Sequence, residues 1–187
     1  MSAQRKKPPR PRLPGDGHAK RELARLIRVD HAGEYGARQI YRGQLAILGD
    51  RPSGQAIAAM AAAEDAHLAA FERLLAERQV RPTLLHPLWR AVGFLAGAGS
   101  ALVSERAAMA LTVGVEEAID RHYARQAERL PAEEAELKAL LLAFRADELR
   151  HRDTALEHGA AELPGYRLFK RAAGAGTRLA IWLSERL

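Results

Sequence analysis

The chain has 187 residues and a net charge of +6, with 48% hydrophobic residues, 5% aromatic residues and no cysteine. This length suits one domain with a sizeable core, and the lack of cysteine excludes disulfides, thiolate catalysis, iron–sulfur clusters and sulfur-bound zinc. Any metal site must therefore use His, Asp and Glu, and the scarcity of aromatics favours closely packed helices over a β-sandwich.

The positive charge is concentrated at the amino terminus. Residues 1–18 carry five Lys and Arg residues against one Asp, which is four of the six net charges. Four prolines disfavour a helix there, so we predict a disordered basic tail before a domain over residues 19–187. The alternative is a polybasic segment attracted to anionic lipid. No nucleic-acid partner is expected, because basic and aromatic residues are not interleaved as in single-strand binders.

Helical periodicity dominates the rest of the chain, and turn-forming residues divide it into five predicted helices over 18–48, 54–79, 100–129, 132–159 and 164–186. A short apolar segment lies near 87–98. Ser53 is predicted to cap the second helix, and Pro131 to lie in the first turn of the fourth. No segment alternates with a period of two residues for long enough to indicate a strand, so the predicted fold class is all-α.

The most apolar region runs from 86 to 115. Its uncharged stretch from Ala91 to Ser104 has 14 residues, whereas a helix that spans a membrane needs about 20. Three glycines weaken this stretch as a single helix. Two interpretations are open: a buried connection within a bundle, or an interfacial element that dips into a membrane or lines a channel for an apolar substrate.

The chain contains an internal repeat. Glu34 and Glu116 each begin a pattern of Glu, six residues, Tyr, two residues and Gln. A second pattern, Glu followed three residues later by His, occurs as Glu64 with His67 and as Glu148 with His151. The two halves are offset by 82 residues in the first pattern and 84 in the second. We therefore predict two helical hairpins joined by a crossover through residues 80–100.

These patterns predict a metal site. A Glu and a His at positions i and i+3 project from the same side of a helix and can reach one ion. One Glu on each of two helices, with Glu-x-x-His on each of two others, is the ligand set of ferritin-like di-iron and di-manganese proteins. We predict a ferritin-like four-helix bundle with additional short apolar and C-terminal helices. Its metal ligands would be Glu34, Glu64, His67, Glu116, Glu148 and His151.

Several neighbours of these ligands have two interpretations each. Tyr41 and Tyr123 are either core aromatics or residues that line a cavity beside the metals. His122 is either an ordinary histidine or one that orients a ligand through a hydrogen bond. Asp147 and Asp153 are candidates for the same orienting role.

Segments in four parts of the chain resemble the demethoxyubiquinone hydroxylase family of ubiquinone biosynthesis. They are residues 28–44, residues 93–99, residues 115–117 together with His122 and Tyr123, and residues 181–187. The resemblance covers about residues 20–187, in order and without large gaps.

The resemblance implies a di-iron monooxygenase that hydroxylates the ring of demethoxyubiquinone or demethoxyubiquinol, with O2 as co-substrate. It implies that the six predicted ligands hold two iron ions, Fe²⁺ or Fe³⁺, with Glu64 and Glu148 as bridges. It also implies that His122 and Tyr123 assist electron delivery and that NADH is the electron source. No dinucleotide-binding glycine pattern accompanies this.

A polyprenylated quinone substrate must be drawn from a bilayer, so we expect the apolar region and the amphipathic C-terminal helix to contact a membrane surface. The resemblance implies a lipid-binding partner protein of the ubiquinone pathway, and an oligomer is compatible with it. The expected location is peripheral, on the cytoplasmic face of a bacterial inner membrane or on the mitochondrial inner membrane of a eukaryote. The alternatives are a ferritin-like ferroxidase or iron-binding protein, and a non-catalytic membrane adaptor.

Overall fold

A computed structural model describes residues 16–187, which form six α-helices and two 3-10 helices. The α-helices are α1 (Asp16–Leu48), α2 (Gly54–Arg78), α3 (His86–Val103), α4 (Glu105–Arg129), α5 (Ala135–Glu157) and α6 (Tyr166–Ser184). Short 3-10 helices at Ala132–Glu134 and Ala160–Glu162 precede α5 and α6. No strand occurs in this range, which confirms the all-α class. Most of the predicted tail lies outside the described residues, and α1 already begins at Asp16.

Four of the helices form the predicted bundle. Helices α1 and α2 pack together, α4 and α5 pack together, and the pairs meet through α1 with α4 and α2 with α5. Helix α3 packs along α1, and α6 packs along α4. Each half of the repeat therefore consists of the predicted hairpin and one of the predicted additional helices, which covers the outside of the bundle.

The predicted break between the apolar segment and the third long helix is wrong. Helix α3 continues through residues 100–103, and the chain becomes extended only at Ser104. The Ser104 hydroxyl accepts a hydrogen bond from the Ala107 backbone N–H at 3.0 Å and so caps α4. A capping serine, and not the preceding glycines, sets this boundary.

Ser53 and Pro131 lie at helix starts as predicted, but neither makes the predicted contribution to its α-helix. Ser53 precedes α2, but its side chain makes no capping hydrogen bond, and its backbone N–H donates to Glu105 at 3.2 Å. Pro131 precedes the 3-10 helix at Ala132–Glu134, so α5 starts four residues beyond it.

Glycines in α1 and α3 allow the two helices to touch through their backbones. A Cβ at Gly97 would lie 1.9 Å from the carbonyl oxygen of Ile40, and one at Gly43 would lie 2.2 Å from that of Phe94. Each glycine costs the helix about 1 kcal/mol relative to alanine. This cost does not break α3, because the close approach buries the facing surfaces of both helices.

The outer surface of α3 is apolar and exposed, so the interpretation as a buried connection fails for α3, whereas residues 107–115 in α4 are buried. Leu95 is 67% exposed and Leu102 is 72% exposed. On α6, Leu168 is 76% exposed, whereas Gly174 and Ser184 are the helix's buried residues.

Within residues 16–187, no helix combines the length and the apolar character that crossing a membrane requires.

Candidate functional site

The six predicted metal ligands converge in the interior of the bundle. One comes from α1, one from α4 and a Glu–His pair from each of α2 and α5, and all six are buried. Their side-chain atoms form two groups, within each of which one ligand atom per residue lies within 4.8 Å of the others. The groups are Glu34, Glu64, His67 and Glu148, and Glu64, Glu116, Glu148 and His151.

Glu64 and Glu148 belong to both groups and lie between the two imidazoles. Glu148 Oε1 is 3.5 Å from Nδ1 of His67, and its Oε2 is 3.5 Å from Nδ1 of His151. Glu64 Oε1 is 3.1 Å from Nδ1 of His151, and its Oε2 is 4.0 Å from Nδ1 of His67. Each of these carboxylates therefore presents one oxygen to each group, as a bridging ligand does.

Each of the two tyrosines of the repeat forms a hydrogen bond to the glutamate of the other half. Tyr41 on α1 donates a hydrogen bond to Glu116 Oε1 on α4 at 2.5 Å. Tyr123 on α4 donates to Glu34 Oε1 on α1. Each tyrosine thus fixes one oxygen of the glutamate that belongs to the opposite half and leaves the second oxygen free.

Eight nitrogen and oxygen atoms of the six residues are buried without a hydrogen-bond partner among the described residues. Glu34 and Glu116 each leave Oε2, Glu64 and Glu148 leave both oxygens, and the two histidines leave Nδ1. A buried unsatisfied polar group costs roughly 1–3 kcal/mol, so eight in one place is unusual. Two divalent ions would satisfy these atoms, and oxygen with imidazole ligands suits iron or manganese. The residues therefore fit a two-metal centre.

The site binds protons when it holds no metal. Burial raises the pKa of Glu34, Glu64 and Glu116 well above its ordinary value, and the charge of Glu148 raises it further. Burial also acts to raise the pKa of Glu148, but the imidazoles of His151 and His67, each 3.5 Å from one of its oxygens, outweigh it and lower that pKa to about 2. Burial acts to lower the pKa of His151, while the neighbouring carboxylates of Glu148 and Glu64 raise it to about 9. Metal binding must therefore release protons.

These shifts predict that the metal-free protein loses stability as the pH rises from 6.5 to 9. The pKa of His151 and of three glutamates is higher in the folded than in the unfolded state, so they stabilise the fold only while protonated. His151 alone accounts for on the order of 3 kcal/mol. Thermal unfolding followed by circular dichroism should show a falling Tm in metal-free protein over this range. Manganese-loaded protein should show a much smaller fall, and equal falls in both forms would contradict the assignment.

One of the two candidate orienting aspartates contacts a ligand. Asp147 Oδ2 lies 3.0 Å from Nε2 of His67, which leaves Nδ1 of that ring directed at the carboxylates. Asp153 instead pairs with Arg152 at 2.6 Å on the surface. A carboxylate behind a metal-binding histidine fixes its tautomer and orientation.

Replacing Asp147 with Asn is expected to weaken metal binding about ten- to a hundredfold, because the neutral amide holds His67 less firmly. Competition with a chelator would measure the affinity for manganese. Asp153→Asn is the matched control on the same helix and should bind manganese as the unaltered protein does. Equal affinities for all three proteins would show that Asp147 has no orienting role.

A cavity of about 400 Å³ adjoins the cluster between α1, α3, α4 and α6. Its wall is mostly aliphatic side chains and glycine, with Trp89 on α3 held by a 2.9 Å hydrogen bond from its Nε1 to Ser184 on α6. Tyr123 belongs both to this wall and to the hydrogen bond with Glu34. Tyr123 therefore connects the cavity to the first group of ligand atoms.

His122 lies on the cavity wall and belongs to neither group of ligand atoms. Its Nε2 is 3.1 Å from Asp30 Oδ1, and Nε2 of Gln126 donates to the same oxygen at 2.8 Å. Burial raises the pKa of Asp30, and the hydrogen bond with His122 opposes that shift.

Sequence reasoning missed Asp30, although its position one turn before Glu34 was a usable signal. The equivalent interaction in the other half joins Gln44 Nε2 to Thr112 Oγ1 at 3.3 Å. Thr112 is 82 residues after Asp30, as Gln126 is 82 after Gln44. Only one half of the repeat therefore has a carboxylate at this position.

The chain matches known proteins over most of its length. The family model for ubiquinone biosynthesis protein COQ7 matches residues 21–184. The chain is 48% identical over 188 residues to the 3-demethoxyubiquinol 3-hydroxylase of Rhodospirillum rubrum, covering 100% of this chain and 89% of that protein. It is 47% identical over 176 residues to the mitochondrial NADPH-dependent 3-demethoxyubiquinone 3-hydroxylase of Homo sapiens, and the match covers 92% of this chain and 81% of that protein. It is 39% identical over 182 residues to the mitochondrial 5-demethoxyubiquinone hydroxylase of Saccharomyces cerevisiae, and the match covers 88% of this chain and 78% of that protein. The resemblance found in the sequence is confirmed, and the chain belongs to the COQ7 family of ubiquinone biosynthesis proteins.

Proposed function

We propose that this protein is an O2-dependent di-iron monooxygenase that hydroxylates the ring of demethoxyubiquinol or demethoxyubiquinone. The observation that carries the proposal is a cluster of unsatisfied carboxylate and imidazole atoms beside an apolar cavity. The family relatives named as hydroxylases of this ring support it. A ferroxidase would use the same ligands, but it has no use for an apolar cavity of this size.

The proposed roles follow from the geometry of the side chains. One iron would be held by the group that contains Glu34 and His67, and the other by the group that contains Glu116 and His151, with Glu64 and Glu148 shared. Iron, when bound, would supply the activation of O2. Tyr41 and Tyr123 hold the two unshared carboxylates in place. The apolar wall excludes water and orients the substrate ring.

The isoprenoid chain of the substrate would leave the cavity between α3 and α6. Both helices contribute to the wall and also expose large apolar side chains on the outside: Leu88, Val92, Leu95, Leu102, Leu168, Leu179 and Trp182. We propose that this surface rests on a membrane, where the enzyme would be peripheral, or receives a lipid-binding partner protein. Its location would be the cytoplasmic face of a bacterial inner membrane or, as the relatives named mitochondrial suggest for eukaryotes, the mitochondrial inner membrane.

The electron source is proposed to be a nicotinamide nucleotide. The sequence resemblance points to NADH, whereas the names of the rat and human relatives specify NADPH. Tyr123 lies between the cavity and Glu34, and its ring centroid is 6.2 Å from that of His122, which suits a role of the two residues in carrying electrons toward the metals. Product formation with each nucleotide in turn would distinguish the two donors.

Complementation tests the reaction. In a strain that lacks this hydroxylase and accumulates the demethoxy precursor, the chain should restore ubiquinone, with the precursor and product identified by mass. Purified, iron-loaded protein with reductant and O2 should also form the hydroxylated ring. Persistent precursor in cells that contain iron-loaded protein, with Fe²⁺ oxidation as the only activity, would instead support the ferroxidase.

A further inference from the structure

Three of the glycines in α1 and α3 are explained by the packing of these two helices. A Cβ at Gly43, Gly93 or Gly97 would lie between 1.9 and 2.8 Å from a backbone oxygen of the other helix. Glycine destabilises a helix relative to alanine, so each glycine inside a helix needs a reason. At these three positions the reason is the close approach of the partner backbone.

Gly33 and Gly36 of α1 have no such explanation. Both lie in the middle of the helix, and a Cβ at either position would meet nothing within 4 Å in the described chain, apart from the adjoining backbone of α1. Alanine at either position would favour the helix. The protein therefore leaves empty the space that these two side chains would fill.

That space belongs to the apolar cavity. Gly33 and Gly36 both line it and are partly accessible, whereas the neighbouring Ala32 and Glu34 are buried. Gly33 directly precedes Glu34, which accepts the hydrogen bond from Tyr123, another residue of the cavity wall. The space at Gly33 therefore lies in the part of the cavity that is next to the first group of ligand atoms, where a reacting ring has to be placed.

We propose that the ring of the substrate, with its substituents, fills the space beside Gly33 and Gly36, so that these glycines determine which rings the cavity accepts. The inference rests on the proposed function, because it takes the occupant to be the substrate ring. Substituents on a planar ring have fixed positions and cannot move away from an added methyl group. An isoprenoid chain can bend around such a group and does not require glycine.

Gly33→Ala is expected to stabilise the protein and to weaken its binding of the ring. Removal of the glycine should raise the Tm by about 1–4 °C in thermal unfolding. The added methyl group should lower the affinity for ubiquinone with one isoprene unit about tenfold, because it occupies the space of the ring. Binding is measured on oxidised, iron-loaded protein by quenching of Trp89 fluorescence in a Trp182→Phe background, since these are the chain's two tryptophans. Gly36→Ala should show the same two changes.

Gly99→Ala is the matched control. A Cβ at Gly99 also meets nothing within 4 Å, but Gly99 does not line the cavity. This variant should gain stability to a similar extent and bind the quinone as the unaltered protein does. An unchanged or higher affinity in Gly33→Ala or Gly36→Ala would overturn the role proposed for that glycine. A lower Tm would contradict it as well, because packing would then account for the glycine.

A quinone with a smaller ring separates contact with the ring from a general disturbance of the cavity. The probe is prenyl-1,4-benzoquinone, which keeps the isoprene unit and the two carbonyl groups but lacks the methoxy and methyl substituents. It leaves room for the added methyl group, so Gly33→Ala should lower its affinity by less than about twofold. Equal losses for the two quinones would show that the ring substituents do not meet Gly33, and the proposal would be wrong.

The binding result and the reaction fail separately. If the chain forms the hydroxylated ring but Gly33→Ala binds both quinones as before, the role of the glycines is wrong and the proposed function stands. If Gly33→Ala discriminates between the two quinones but the unaltered protein forms no hydroxylated product, the cavity binds the ring and the proposed reaction is wrong.

Discussion

Replacing Glu148 with alanine is expected to remove nearly all iron from the protein and to abolish hydroxylation. The side chain contributes to both groups of ligand atoms, and both of its oxygens are buried without a hydrogen-bond partner. Its loss should therefore lower the iron content from about two ions per chain to close to none. Elemental analysis of purified protein would measure this, with circular dichroism to verify that the helices remain.

Two further variants make the iron count diagnostic. Glu116 belongs to one group only, so Glu116→Ala should retain about one ion per chain. Glu157 lies on the exposed end of α5, and Glu157→Ala should retain both ions. If Glu148→Ala bound as much iron as Glu157→Ala and remained active, the shared role of Glu148 would be refuted.

Replacing Gly97 with alanine is expected to destabilise the protein by about 3 kcal/mol or more. The added Cβ would lie 1.9 Å from the carbonyl oxygen of Ile40, and a backbone atom cannot rotate away as a side chain can. Helix α3 must then move away from α1, which also disturbs the cavity that both helices line. For a chain of this length, the Tm should fall by roughly 6–12 °C in thermal unfolding.

Gly99 provides a control two residues along the same helix. A Cβ at Gly99 would meet nothing within 4 Å, so Gly99→Ala should raise stability by about 0.5–1 kcal/mol through helix propensity. Opposite signs for the two substitutions would establish that contact with α1, and not helix propensity, requires glycine at position 97. Similar changes in both variants would contradict the close crossing.

The two tyrosine hydrogen bonds connect the two halves of the repeat at the site. Tyr41 and Tyr123 each bind the glutamate of the opposite half, so the distance between α1 and α4 directly sets the positions of two ligands. The same pair of helices carries a departure from symmetry, because Asp30 bonds to Gln126 where the other half has Thr112 with Gln44. The apolar cavity lies on the side of that departure.

The sequence by itself determined the helical class, the repeat and the six candidate ligands. Spacing along a helix decides which side chains share a face, so Glu64 with His67 and Glu148 with His151 were predictable without tertiary information. The chemistry of these side chains likewise predicted a two-metal site.

Only the tertiary structure decided which partner each of those residues meets. The pairing of Tyr41 with Glu116 joins residues 75 apart, and Asp30 with His122 joins residues 92 apart, so local spacing carries no information about either. The same holds for the glycines of α3, since helix propensity counts them as a cost. They are required because the backbone of α1, which is distant in sequence, packs too close to leave room for a Cβ.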